Sequence, residues 1–391
     1  MKTKLFIILL LITVLLFCAC TKDDPMSNET NIHTDPLPEH TDTVVTTAPA
    51  DTLPEDTVIS VPSSNNLQFS PQKEGIYNYC PSAIQLDDGT IYIYYCTNRN
   101  SYEIVDYIGC RRGIRNADGK IEWSEEMIAL SPSDDGWDAH HTCDPSVVAG
   151  SFSYNGEAYG YLMAYLGCTS YDNQENKIGL AVSKTPEGPF IKVGTEPLVD
   201  FTKDTGVTVF QWGVGQPSLI NMDEKGQIYL FYTRGDKNGT RLMLDQWELS
   251  NLDQSQKLKT VTVSKNGLAN LSGGTDFMNN ADLLYDAETK RFYAISDCHP
   301  NPDDEPNYIS SHFRLNYFTH GTSFTNFSWH SLKTVSPAET SFARNHNAGL
   351  LRTAYGYLPN DHYITAFYTV SVSGSESLWS YRIYDYNVEI K

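Results

Sequence analysis

Long apolar runs, basic charge and helical patterning are what this 391-residue chain has least of. The single sustained apolar run, Leu5 to Phe17, is too short to span a membrane comfortably. Lys and Arg number 28 against 48 Asp and Glu, a formal net charge of −20, which argues against nucleic acid or an anionic surface as the main partner. No glycine loop has the spacing that cradles a phosphate, and no cysteine quartet has the spacing of a structural zinc. Cysteine itself is sparse. Beyond Cys18 and Cys20, six remain (Cys80, Cys96, Cys110, Cys143, Cys168 and Cys298), an even set that permits disulfides while its spacing fixes no pairing. A chain of this length buries a core without such staples, so buried thiols within strands are the plainer expectation for most of them.

What the chain has in quantity is aromatic residues, 12%, together with 26 Gly and 19 Pro, a mixture suited to short twisted strands and tight turns. One phrase recurs five times. It reads Cys80-Pro81-Ser82-Ala83-Ile84, Cys143-Asp144-Pro145-Ser146-Val147-Val148, Gln216-Pro217-Ser218-Leu219-Ile220, Asn280-Ala281-Asp282-Leu283-Leu284 and Asn347-Ala348-Gly349-Leu350-Leu351. Each copy is followed by a short polar gap and an aromatic-rich strand. With Pro81, Pro145, Pro217, Ala281 and Ala348 as register, the steps are 64, 72, 64 and 67 residues. A near-constant step long enough for four strands predicts an all-β chain, a five-bladed β-propeller over residues 66–391. The closing strand, Trp379 to Val388, is expected to pair with the segment near Gln68.

Two segments precede the propeller. Residues 1–20 have the order of a lipoprotein signal peptide: Lys2 and Lys4, the apolar run, then Ala19 and Cys20 at the cleavage and lipidation positions. Residues 21–65 are rich in Thr, Pro and acids, with nine acids against one Lys, and predict a disordered tether. The expected setting is therefore the bacterial cell envelope, outside the cytoplasm, with contact to the membrane through the lipid anchor only. The chain is expected to act as a monomer.

In a propeller the first strand of each blade lies nearest the axis, and its entry residue faces the central funnel. Those positions hold Cys80, Asp144, Gln216, Asn280 and Asn347, and Asp144 carries the only full charge among them. Asp282, two places after Asn280 and on the same strand face, is expected to point down the funnel. His140, His141 and His346 adjoin ring residues, and an imidazole serves as general acid near neutral pH. Other carboxylates near the repeats are Asp138, Asp276, Asp297 and Glu339. Tyr77, Tyr79, Trp137, Phe210 and Trp212 flank the ring, and Trp212 precedes Gln216 by four residues, placed to stack on a sugar face. A metal cluster of His140, His141, Cys143, Cys298, His299 and His346 lacks diagnostic spacing, so no metal ligands are assigned.

Over residues 70 to 391 the blade rhythm resembles the five-bladed glycosidases of glycoside hydrolase family 43 and, more distantly, family 32. Cys143-Asp144-Pro145-Ser146-Val147-Val148 resembles the second-blade Asp-Pro motif, and Ser183-Lys184-Thr185-Pro186-Glu187-Gly188-Pro189-Phe190 the turn that follows a strand there. The resemblance implies a first-blade Asp as base or nucleophile, a second-blade Asp that tunes pKa and holds the sugar, and a third-blade Glu as acid. Only the second is matched, by Asp144. The first falls on Cys80 and the third on Gly215 or Gln216, although glycoside cleavage normally uses two carboxylates across one bond. The expected catalytic set is therefore non-standard: Asp144, Asp282 and His346. Cys80, His141, Trp212, Gln216, Asn280 and Asn347 are the expected sugar contacts. No cofactor is required; related propellers fill the axis with a calcium ion or a water, here within reach of His346. Two functions follow: a glycoside hydrolase acting on plant- or microbe-derived oligo- or polysaccharide, or a non-catalytic glycan-binding propeller that kept the pocket. Glu187 sits in turn chemistry and is expected on the outer rim, away from either task.

Overall fold

Segments such as Ile91–Thr97 and Tyr363–Ser371, nearly unbroken runs of Ile, Tyr, Phe, Val and Thr, have no polar face to give to water, so they form strands covered on both sides. The computed structural model of the protein describes residues 61–171, 173–321, 323–360 and 362–390. The expected leader with Cys20, and nearly all of the expected tether, lie outside the described residues.

The strands run in chain order as meanders. The short β1 (Leu67–Phe69) is followed by β2 (Asn78–Gln85), β3 (Ile91–Thr97), β4 (Tyr107–Arg115), β5 (Ile121–Trp123) and β6 (Met127–Leu130). Next come β7 (His141–Tyr154), β8 (Glu157–Cys168), β9 (Lys177–Ser183) and β10 (Ile191–Lys192), which form one four-stranded antiparallel sheet. A second such sheet is β11 (Gly213–Asn221), β12 (Gln227–Asp236), β13 (Gly239–Glu248) and β14 (Gln256–Thr262). A third is β15 (Asp282–Asp286), β16 (Arg291–Asp297), β17 (Phe313–Thr319) and β18 (His330–Val335). The chain ends with β19 (Arg344–Thr353), β20 (Tyr363–Ser371) and β21 (Arg382–Glu389).

Two meanders, β1-β21-β20-β19 and β2-β3-β4-β5 with β6 also paired to β4, merge into one nine-stranded sheet because β19 and β2 run side by side in parallel, with Leu351 opposite Ala83. The N-terminal strand does close the last meander, as expected near Gln68: Leu67 pairs with Tyr384 and Phe69 with Ile383.

The core lies between neighbouring meanders. Ile84, Tyr94, Val147 and Met163 fill the gap between the first and second. Leu162, Val182, Leu219 and Leu230 fill the next, followed by Phe231, Leu244, Leu283 and Phe292. Leu284, Leu315, Leu350 and Tyr368 come after these, and Ala83, Ile93, Leu351 and Phe367 return to the first meander. Each such side chain, fully buried, is worth roughly 1.5–3 kcal/mol of transfer free energy, so the stack holds together through its faces.

One buried cation ties the innermost strands together. Arg352 is fully buried, and its guanidinium donates to the hydroxyls of Ser82 (3.0 Å), Ser146 (3.1 Å) and Ser218 (3.4 Å). It also meets Asp282 at 3.2 Å. Counted from the entry residue of each repeat (Cys80, Asp144, Gln216 and Asn280), these four partners hold the third position of the first four phrases. In the fifth phrase that position is Gly349, where a Cβ would fall 1.8 Å from the carbonyl oxygen of Pro81. The third letter of the repeat is thus set by an axial plug.

Candidate functional site

Above the plug, the second layer of the repeat builds the site. The ladder between inner strand and neighbour breaks between Tyr79 and Ser82, Cys143 and Ser146, Gly215 and Ser218, and His346 and Gly349. The residue in each break has a left-handed backbone: Cys80 (φ 49°), Asp144 (46°), Gln216 (52°) and Asn347 (46°), with Asn280 (50°) equivalent just ahead of β15. Left-handed geometry costs a non-glycine residue about 1–3 kcal/mol and collects at functional sites. Here the bulge turns each side chain toward the axis. The result is a narrow funnel-mouth cavity of about 40 Å³, lined by the five ring residues, the Pro or Ala after each, Ser82 and Asp282.

The ring is closed by hydrogen bonds. Asp144 accepts from the Cys80 thiol and from the Gln216 backbone N–H. Gln216 Oε1 accepts from the Asn280 N–H (2.9 Å), and the two side-chain amides also meet directly. Asn280 Nδ2 donates to Asp297 (2.5 Å), which also accepts from the Asn347 N–H (3.0 Å). Asn347 Nδ2 then donates to Cys80 Sγ at 2.8 Å. Every polar group in the circuit has a partner, which holds the left-handed residues in place.

Two carboxyls in this circuit are displaced upward. Burial raises Asp144 to about 6, opposed by the Cys80 hydrogen bond. Burial raises Asp297 to about 7, opposed by its bond from Asn280. Burial also pushes the Cys80 thiol well above its usual range, and the Asp144 charge adds to the effect. Cys80 is therefore a thiol that donates to Asp144, not a thiolate.

The remaining candidates fall into three places. Asp282 lines the cavity floor, but its oxygens accept from Ser218 Oγ (2.6 Å) and the Leu350 N–H (2.8 Å) beside the Arg352 ion pair. His346 lies behind the ring, fully buried, with Nδ1 against the Asn347 side-chain oxygen and its ring edge-on to Tyr381; burial lowers it to about 4. His141 is also fully buried, 2.7 Å from Asp106, which accepts from the Tyr77 hydroxyl as well. Neither imidazole lines the cavity. Trp212 packs beside the ring against Cys80, Cys96, Cys143 and Leu166, whereas Phe210 is exposed. Glu187 occupies a turn after β9, half-buried and outside the cavity. The histidines of the considered metal cluster are dispersed: His141 pairs with Asp106 and His299 with Asp276. The axis under the cavity holds the Arg352 guanidinium, so a calcium ion at that depth would meet like charge.

Cys96 and Cys143 form a disulfide between β3 and β7, at the back of Asp144, whose N–H donates to Cys96 Sγ at 3.0 Å. Cys80, Cys110 and Cys298 are buried free thiols, and Cys168 is buried as well. The first-strand register does not reveal Cys96 or Asp297 as ring partners, since both come from second strands. A signal was present: each ends an aromatic strand that directly follows a phrase.

No protein-family model and no curated protein sequence matches the chain. Solved structures do. A family 117 glycoside hydrolase from the marine bacterium Zobellia galactanivorans superposes with a TM-score of 0.53 at 12% identity, over 84% of this chain and 88% of that one. The α-L-arabinofuranosidase PaAbf62A from Podospora anserina, solved with cellotriose, gives 0.52 at 10% identity over 85% and 96%. A family 43 enzyme from Xanthomonas citri, solved with xylotriose, gives 0.50 at 13% identity over 81% and 89%. At these identities the likeness is one of fold: the chain has the fold of the propeller glycosidases.

Proposed function

We propose that this chain is a five-bladed, glycoside hydrolase-like protein that takes an oligo- or polysaccharide of plant or microbial origin at the funnel mouth. The observation that carries the reading is the ring itself: five left-handed residues around one cavity, with Asp144 the one carboxylate of the five. Its amides, thiol and carboxylate suit sugar hydroxyls, which both donate and accept. In this reading Asp144, mostly ionised at neutral pH, holds a hydroxyl or activates water. Asp297, which keeps its proton to about pH 7, supplies the second carboxyl that glycoside cleavage asks for. Asp282 and His346 then hold the scaffold, one through Arg352 and the other through Asn347.

One observation favours the non-catalytic alternative: Asp297 lies behind Asn280 and Asn347, with its oxygens already accepting from both. A panel of arabino-, xylo-, fructo- and galacto-oligosaccharides, assayed for binding and for reducing-end release, separates the two. Release that D144N and D297N each abolish supports the hydrolase; binding without release leaves the glycan-binding protein.

We also infer that the chain works as a monomer on the outer side of a bacterial membrane, anchored through Cys20. The signal-like order of residues 1–20 supports this, and the Cys96–Cys143 disulfide suits an oxidising compartment. C20A should leave the protein unprocessed or release it from the membrane fraction; unchanged fractionation and migration contradict the anchor.

A further inference from the structure

Three sulfurs and a carboxylate crowd one edge of the ring, closer together than sugar recognition by Cys80 and Asp144 requires. The donor atoms of Cys80, Cys96, Cys143 and Asp144 all lie within 4.8 Å of one another, the one such set of ligand-type side chains among the described residues. Asp144 Oδ1 is 3.4 Å from Cys143 Sγ and 3.9 Å from Cys96 Sγ. A tetrahedral zinc ion with bonds of about 2.3 Å to sulfur and about 2.0 Å to oxygen sets its ligand atoms roughly 3.5–3.8 Å apart. The spacing of the carboxylate to these two sulfurs brackets that of a metal site.

The surroundings point the same way. Each sulfur receives a hydrogen bond from outside the cluster or from its backbone: Asn347 Nδ2 to Cys80 (2.8 Å), the Asp144 N–H to Cys96 (3.0 Å) and the Tyr79 hydroxyl to Cys143 (3.1 Å). Thiol and disulfide sulfurs are weak acceptors, whereas metal-bound thiolates are stabilised by such donors. Leu166 and Trp212 pack against the same sulfurs and keep the site apolar. The disulfide between Cys96 and Cys143 takes up two of the four donors.

We propose that reduction of the Cys96–Cys143 disulfide turns this edge of the funnel into a zinc site, with the sulfurs of Cys80, Cys96 and Cys143 and one oxygen of Asp144 as ligands. The step balances with a dithiol as reductant. Two electrons and two protons pass to Cys96 and Cys143, and the dithiol becomes a disulfide. Zinc then displaces the three thiol protons. Disulfide and ion exclude each other, so oxidation expels the metal. The metal-loaded form also ties up Asp144, which closes the sugar site.

The readout is metal uptake, so the inference stands or falls independently of any glycosidase activity. The full chain is treated with a phosphine reductant, desalted without air and titrated with zinc, or with cobalt(II) as a coloured reporter. The reduced chain should hold one equivalent of zinc through gel filtration and give the thiolate charge-transfer and tetrahedral visible bands with cobalt. The unreduced chain should do neither. C80A should weaken zinc binding by roughly a hundredfold and D144N by roughly tenfold, with C298A and C110A unchanged. Circular dichroism of each reduced variant checks that it is folded; D144N, which keeps the side-chain shape, carries the test where C80A does not fold. Uptake that is absent from the reduced chain, equal in the unreduced chain, or lost in C298A as much as in D144N overturns the site.

Discussion

Arg352 and Asp282 form an ion pair, Nη1 to Oδ1 3.2 Å, at the floor of the cavity, and the guanidinium also bonds Ser82, Ser146 and Ser218. The pair lies where inner strands from across the chain meet, so it joins sequence-distant repeats. Removing one partner of a buried pair strands the other charge, at about 3–5 kcal/mol. R352M should therefore lower unfolding stability by about that amount in a urea titration. D282N should also be destabilised, while the folded fraction keeps ligand affinity within a few fold. An R352M variant as stable as the parent contradicts the plug.

A second prediction concerns Glu187, whose Glu187-Gly188-Pro189 setting imitates a family motif. Its side chain belongs to a turn outside the cavity, so E187Q should leave ligand affinity and any turnover within about twofold. A hundredfold loss in an oligosaccharide binding assay would show that the functional centre includes this turn.

A third follows from Asp297. Burial raises its folded-state value from 3.8 to about 7, so the folded chain binds that proton more tightly than the unfolded chain does. The resulting stabilisation is complete below about pH 4 and is lost as pH rises through about 7. Between pH 4 and 8 the parent's Tm should therefore fall more steeply than that of D297N, measured by calorimetry at fixed ionic strength. Parallel curves for the two proteins contradict the assignment.

These residues also show how far reading the chain can go. The five phrases were legible because a bulge followed by Pro or Ala recurs at one place per unit, and the same register put Cys80, Asp144, Gln216, Asn280 and Asn347 around one cavity. The pairing of the N-terminal segment with the last strand was legible too, from a closing strand that needed a partner. Asp297 and Cys96 were not assigned to the ring, because they reach it from second strands, and a register built on first strands is blind to lateral neighbours. Arg352 was invisible for a different reason. Its partners are small serines spread over three repeats, and only the closed fold brings them to one guanidinium. His141 and His346 lie close to ring residues in sequence, yet both side chains are buried and neither lines the cavity.

The central claim is that Asp144 carries the largest single share of ligand recognition at the funnel mouth. It is the one carboxylate among the five left-handed ring residues, and hydrogen bonds to a charged group contribute about 1.5–3 kcal/mol. The most direct measurement is the dissociation constant of the best oligosaccharide from the panel for the parent and for D144N, taken on unreduced protein by titration calorimetry. D144N keeps the side-chain shape, so the account predicts an unchanged fold and affinity weakened by roughly tenfold to a hundredfold. A D144N protein that binds this sugar as tightly as the parent contradicts the account and moves the functional centre away from the ring.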